Sequence, residues 1–99
     1  MSASISVTTW VEAGHQDLLG RMHGHSYQVE VWMPEGNDLV AVAAFINDVK
    51  SRVDHSMLEA TVGSPKMEDL ARWFLAEISI ATEVIVRRPS LGFAARVVR

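Results

Sequence analysis

The 99-residue sequence has no cysteine, and that zero removes disulfides, thiolate metal sites and cysteine nucleophiles together. It has no excess of positive charge, since 9 Lys+Arg stand against 12 Asp+Glu for a net charge of -3. A nucleic-acid binder needs a basic face to release phosphate counterions, so neither DNA nor RNA is an expected partner. There is no run of about 18 apolar residues to span a membrane, and the start, MSASISVTTWVEAG, lacks the basic-then-apolar order of a secretory signal. No Pro/Gly/Ser-rich linker, low-complexity tract or solenoid repeat divides the chain. The expectation is one domain over residues 1–99, cytoplasmic, with no room for a separate cofactor domain. Apolar residues are plentiful, at 48% against 21% charged. A domain of about 100 residues buries a usable core, and oligomerisation is an ordinary way to hide the excess.

The apolar residues fall into two periods. Ile5, Val7, Thr9 and Val11 alternate with Ser4, Ser6 and Thr8, as in a half-buried strand over residues 3–11. Tyr27, Val29, Val31 and Met33 repeat the pattern over 26–33, which ends in the turn-forming Pro34-Glu35-Gly36-Asn37-Asp38. From Leu39 the period becomes helical, with Val42, Ile46, Val49 and Val53 on one face and Asn37 or Asp38 available as cap. A second helix carries the stripe Met67, Leu70, Ala71, Phe74, Leu75 and Ile78, with Ser64 as cap, Pro65 in its first position, and Glu68 and Asp69 at the positive end of its dipole. Glu83–Arg88 and Leu91–Val98 read as a closing hairpin about Pro89-Ser90. The order ββααββ belongs to the α+β class: a four-stranded antiparallel sheet with two helices on one face.

The chemistry concentrates in four histidines. His15, His23 and His25 lie near the junction of the first two strands, and the i, i+2 spacing of His23 and His25 sends both imidazoles to one side of an extended chain. Gly24 leaves room between them. Three neutral imidazoles with an open fourth position suit a catalytic zinc ion, because the opening admits water or a substrate oxygen. His55 follows Asp54, and a carboxylate beside an imidazole can fix its tautomer for acid–base work.

Three segments resemble one family. Leu19-Gly20-Arg21-Met22-His23-Gly24-His25-Ser26-Tyr27 is similar to the HGH segment of the 6-pyruvoyl tetrahydropterin synthase and 6-carboxy-tetrahydropterin synthase (QueD-like) enzymes. Val53-Asp54-His55-Ser56-Met57-Leu58-Glu59 resembles the family's L-D-H-x-x-L-N segment, and Pro65-Lys66-Met67-Glu68-Asp69-Leu70-Ala71 its helix start. The resemblance implies the tunnelling fold, with ββααββ subunits assembled as trimers or hexamers. It implies a small-molecule, pterin-like substrate and a lyase-type reaction. Zn2+ would be held by His15, His23 and His25 and would polarise oxygens on the substrate side chain. Asp54 and His55 would relay protons, and Glu68 would stand at a subunit-interface pocket.

The departures from the family concern protons and charge. The active-site cysteine of the family falls at Leu19, which can neither carry nor accept a proton. A glutamate that anchors the pterin ring falls at Arg88, or with a slip of one at Arg87. Arginine is donor-only and permanently charged, so it suits a carboxylate or phosphate instead. Three functions follow from these residues: a zinc lyase using His55, Asp17 or Glu12 in place of the thiol; a zinc enzyme acting on an anion held by Arg87 or Arg88 and Lys66; or a non-catalytic oligomer that keeps the metal and binds a ligand.

Overall fold

A computed structural model describes residues 1–99. Two long strands, β1 (Ser4–Gln16) and β2 (Met22–Pro34), form an antiparallel ribbon. Helix α1 (Leu39–Ser51) follows, then a two-residue strand β3 (Ser56–Met57), a single helical turn α2 (Leu58–Thr61) and helix α3 (Met67–Glu77). Strands β4 (Glu83–Arg88) and β5 (Phe93–Val98) close the chain, joined by a 3-10 turn over Pro89–Leu91 and by Gly92 in the left-handed region (φ 69°). The sheet order is β3-β1-β2-β4-β5. No helix is long and apolar enough to cross a membrane.

The alternation in the sequence decides which face is covered. Thr9, Val11 and Ala13 of β1, Tyr27, Val29, Val31 and Met33 of β2, and Val84 and Val86 of β4 are all buried. Val42, Ile46 and Val49 of α1 and Leu70, Ala71, Phe74 and Leu75 of α3 meet them. The apolar members form one cluster of 19 buried residues. Asp38 caps α1 by accepting from the N–H groups of Val40 and Ala41.

The α+β class and the ββααββ order hold, and the sheet gains a fifth strand. Strand β3 pairs with β1 in parallel over only Ala13↔Ser56 and Gly14↔Met57, too short a stretch to leave a period in the sequence. Both long strands also run further than their apolar alternation, because pairing continues through Gly14↔Gly24 and His15↔His23. Helix α3 begins two residues beyond Pro65, and its N-cap, Lys66, makes no side-chain cap bond. The Ser64 hydroxyl serves the turn instead, accepting from the Lys66 N–H and donating to Asp69 Oδ2.

Candidate active site

The histidines stand where the sheet outruns its helices. Along β1 the core-facing row reads Val11, Ala13, His15, and along β2 it reads His23, His25, Tyr27, Val29. Alternation keeps all of these on one face. The ladder sets His15 opposite His23 and Ala13 opposite His25, so the three imidazoles gather at the ribbon's end. Their ring centres are 4.8 Å apart for His15 and His25, and 6.2 Å apart for each of the other pairs. Three nitrogens held 2.0–2.1 Å from a tetrahedral ion put ring centres about 5 Å apart, so the donor set suits zinc and the His15–His25 pair has that spacing, while His23 stands wider.

One nitrogen of each ring is engaged by a protein group, and no three His, Asp or Glu side chains converge on a single point for a metal ion. His15 Nδ1 lies 3.1 Å from the Gln16 carbonyl oxygen, to which it can only donate. That tautomer leaves Nε2 free, as a ligand requires. His23 Nε2 lies 3.0 Å from Asp17 Oδ2, and His25 Nδ1 lies 2.8 Å from an Arg88 terminal nitrogen. Burial first, then the Arg88 cation and the His15 and His23 rings, hold His25 below its ordinary pKa, which favours the neutral ring.

Two further carboxylates, Asp17 and Glu59, stand beside this cluster. Asp17 accepts from the N–H groups of Leu19 and Arg21, from Arg21 Nε and from His23. The His23 bond is the largest cause of its lowered pKa, about 2, and with the bonds from Leu19 and Arg21 it makes Asp17 the residue that closes the β1–β2 turn. Glu59 of α2 accepts from the Gln16 N–H at 2.7 Å, a bond that pulls its pKa down, and the nearby His15 adds to the same effect. The only sequence signal for Glu59 is its place at the end of the Asp54-His55 segment.

Asp54 and His55 are brought together and aimed by β1. Asp54 Oδ1 accepts from the Glu12 N–H at 2.8 Å, and the His55 N–H donates to the Glu12 carbonyl oxygen. Asp54 Oδ2 lies 2.9 Å from His55 Nδ1, with Asp54 21% exposed and His55 78% exposed. Burial raises the Asp54 pKa, but the bonds from Glu12 and His55 outweigh it and hold the carboxyl below its usual range. His55 has φ 57°, the only non-glycine residue of the chain at positive φ. A bulky residue rarely adopts this conformation without compensation, and here its own N–H bond to Glu12 and its ring's contact with Asp54, itself anchored to Glu12, hold it.

A cavity of about 460 Å³ opens between β2 and β3, with Glu12, Ser26, His25, His55 and Met57 in its wall. Gly14 lies in the same wall, where a Cβ would come within 3.0 Å of Met57 Sδ and 3.1 Å of the His23 carbonyl oxygen. A second cavity, about 380 Å³, shares Gly24, His25 and Ser26 and is completed by Trp10, Arg88, Pro89 and Ser90.

Of the remaining expected residues, Arg88 lies on the core-facing row after Val84 and Val86 and reaches His25. Arg87 points to the other face and pairs with Glu30 at 2.9 Å. Glu68 is exposed on the first turn of α3, outside both cavities. Leu19 is exposed in the turn between the two strands.

The family model described as "6-pyruvoyl tetrahydropterin synthase" matches residues 4–91, a span that holds the histidine cluster and the lining of both cavities. None of the curated proteins matches the chain at a significant level. Among solved structures, that of Caenorhabditis elegans 6-pyruvoyl tetrahydropterin synthase superposes with a TM-score of 0.83, covering 100% of this chain and 96% of that chain. The identity is 15%, so this likeness concerns the fold.

Proposed function

This chain belongs to the 6-pyruvoyl tetrahydropterin synthase family, and from that premise we propose that it is a zinc-dependent, lyase-type enzyme acting on a pterin-like small molecule. The observation that carries the reading is the Asp54–His55 pair, held in a costly backbone conformation at the mouth of a cavity whose wall also includes His25. Its volume of about 460 Å³ lies within the range of small-molecule sites. His15, His23 and His25 would hold the metal, and bound zinc would supply Lewis-acid polarisation of oxygens on the substrate side chain.

The rest of the chemistry falls to the chain. With Asp54 accepting from Nδ1–H, His55 presents Nε2 to the cavity as the group that takes and returns a proton. Asp54 stays ionised and steadies the imidazolium that results. His55 thus takes the place of the family's thiol, absent at Leu19. Glu12, whose carboxylate accepts from the Ser26 hydroxyl at 2.7 Å, lies in the same wall and can position a substrate hydroxyl.

Homo-oligomerisation as a trimer or hexamer is part of the proposal. Strand β5 ends the sheet with Phe93 and Val98 exposed, and on the other side β3 covers only Ala13 and Gly14 of β1. Two open edges on one sheet invite joining with further copies. Glu68 would then meet substrate across a subunit boundary, since it is far from serving either cavity within one chain.

A second reading keeps the metal and changes the substrate. Arg88 beside His25 favours a carboxylate or phosphate over the amide and amino edge of a pterin. Incubating the zinc-loaded protein with dihydroneopterin triphosphate or a tetrahydropterin and following products by chromatography tests the choice. Conversion that is lost in His55→Ala supports the pterin reading, and no conversion of either compound would overturn it.

A further inference from the structure

We propose that Arg88 is a two-position residue: it holds His25 out of the metal site until an anionic group on a ligand draws its guanidinium into the neighbouring cavity. The proposal rests on the zinc reading of the three histidines and on the anionic-substrate reading above. It goes beyond both by making metal binding and anion binding interdependent.

Arg88 has only N–H groups to offer, and it lies 2.8 Å from His25 Nδ1, so Nδ1 must be the acceptor. A neutral imidazole whose Nδ1 accepts carries its proton on Nε2, and then neither nitrogen has a lone pair free for a metal. Ligation through Nε2 would move the proton to Nδ1 and point two donors at each other. Ligation through Nδ1 would need the lone pair that Arg88 occupies. Either way the bond between Arg88 and His25 must break before His25 joins His15 and His23 around an ion. A permanently charged guanidinium at that distance also repels a divalent cation.

Arg88 is free to leave. Arg21, Arg52, Arg72, Arg87 and Arg96 each pair with a carboxylate, and Arg99 donates to the carbonyl oxygens of Leu75, Ile78 and Ala81. Arg88 has no anionic partner and no carbonyl, only the imidazole. The cavity of about 380 Å³ beside it has no carboxylate in its wall, and it offers the Ser90 hydroxyl as a further donor to an anion. A carboxylate or phosphate seated there would give the guanidinium a stronger, two-pronged partner than a neutral ring nitrogen. His25 would then be released to the metal. By linkage the metal must raise the anion's affinity by the same factor that the anion raises the metal's.

The test measures zinc affinity of the full-length protein by competition with a chromophoric chelator, for wild type and Arg88→Leu, in anion-poor buffer and with acetate or inorganic phosphate. The expected results are a zinc affinity about ten-fold or more higher in Arg88→Leu, and tightening of the wild type alone by added anion. Tightening by acetate points to a carboxylate and tightening by phosphate to a phosphoryl group. An anion that simply coordinates the metal would tighten both proteins equally, and that outcome overturns the proposal. Equal or weaker zinc binding in Arg88→Leu also overturns it while leaving the zinc site standing; no zinc binding by either protein overturns both. A second measurement requires no variant. Nitrogen-15 imidazole correlations of the metal-free wild type should show His25 protonated on Nε2, and a proton on Nδ1 contradicts the proposal.

Discussion

Asp54 carries two duties that a single substitution separates. Its Oδ1 anchors the segment to β1 through the Glu12 N–H, while its Oδ2 sets the His55 tautomer. In Asp54→Asn the amide oxygen can keep the anchor, but the other position turns from acceptor to donor. If the Asp54–His55 pair moves the proton, kcat should fall by about 10²- to 10⁴-fold with little change in KM. A variant with wild-type kcat removes the pair from the mechanism. The same carboxyl contributes to acid stability. Asp54 is held below its ordinary range and Asp17 lies at about 2, so between an ordinary carboxyl value and about pH 2 the unfolded chain binds more protons. Their stabilisation is complete above about pH 4 and is lost as pH falls through the folded values. Thermal melts between pH 5 and pH 2 should therefore show a fall in melting temperature that is shallower in Asp54→Asn. An equal slope in both proteins contradicts the assignment. At this scale the sequence was informative about identity and silent about partners. His15, His23, His25, Asp54 and His55 are visible as motif residues. That Arg88 sits on His25, and Asp17 on His23, depends on which face of which strand each side chain takes once the ladder is formed.

Elements were legible in proportion to their apolar period. The rows Tyr27, Val29, Val31, Met33 and Leu70, Ala71, Phe74, Leu75 stand out in the sequence and are buried in the structure. Strand β1 past Val11 and strand β2 before Tyr27 were not legible as strand, because glycine and histidine replace the apolar alternation there. That replacement is itself the site: the ladder continues by backbone pairing while the core-facing row changes from apolar side chains to imidazoles. Strand β3 has no period to read, yet it fixes Asp54 and His55 against Glu12. Helix α3 holds the covered half of the sheet through Phe74, which is fully buried and packs edge-to-face on Trp73 with ring centres 5.0 Å apart. Phe74→Ala should cost about 3–5 kcal/mol in a denaturant titration. A loss below about 1 kcal/mol would mean that α3 is not the main cover of this core.

For the whole molecule, shape and edges matter more than any single contact. The chain extends 50 × 24 × 21 Å, and its length comes from two 13-residue strands at about 3.3 Å per residue. The helices cover only part of that ribbon. The apolar excess noted in the composition reappears as exposed Phe45, Val40, Phe93 and Val98, and the sheet has an open edge on each side. Sedimentation equilibrium should give three or six times the 10.9 kDa chain mass, and a monomer at micromolar concentration contradicts the assembly proposed here. Metal content tests the account most directly, since the catalytic proposal and the Arg88 proposal both depend on it. Elemental analysis of the purified protein should find about one zinc per chain in the wild type and almost none in His23→Ala. A folded wild-type protein that takes up no zinc when it is supplied, or a His23→Ala variant that holds zinc as tightly as the wild type, would contradict it.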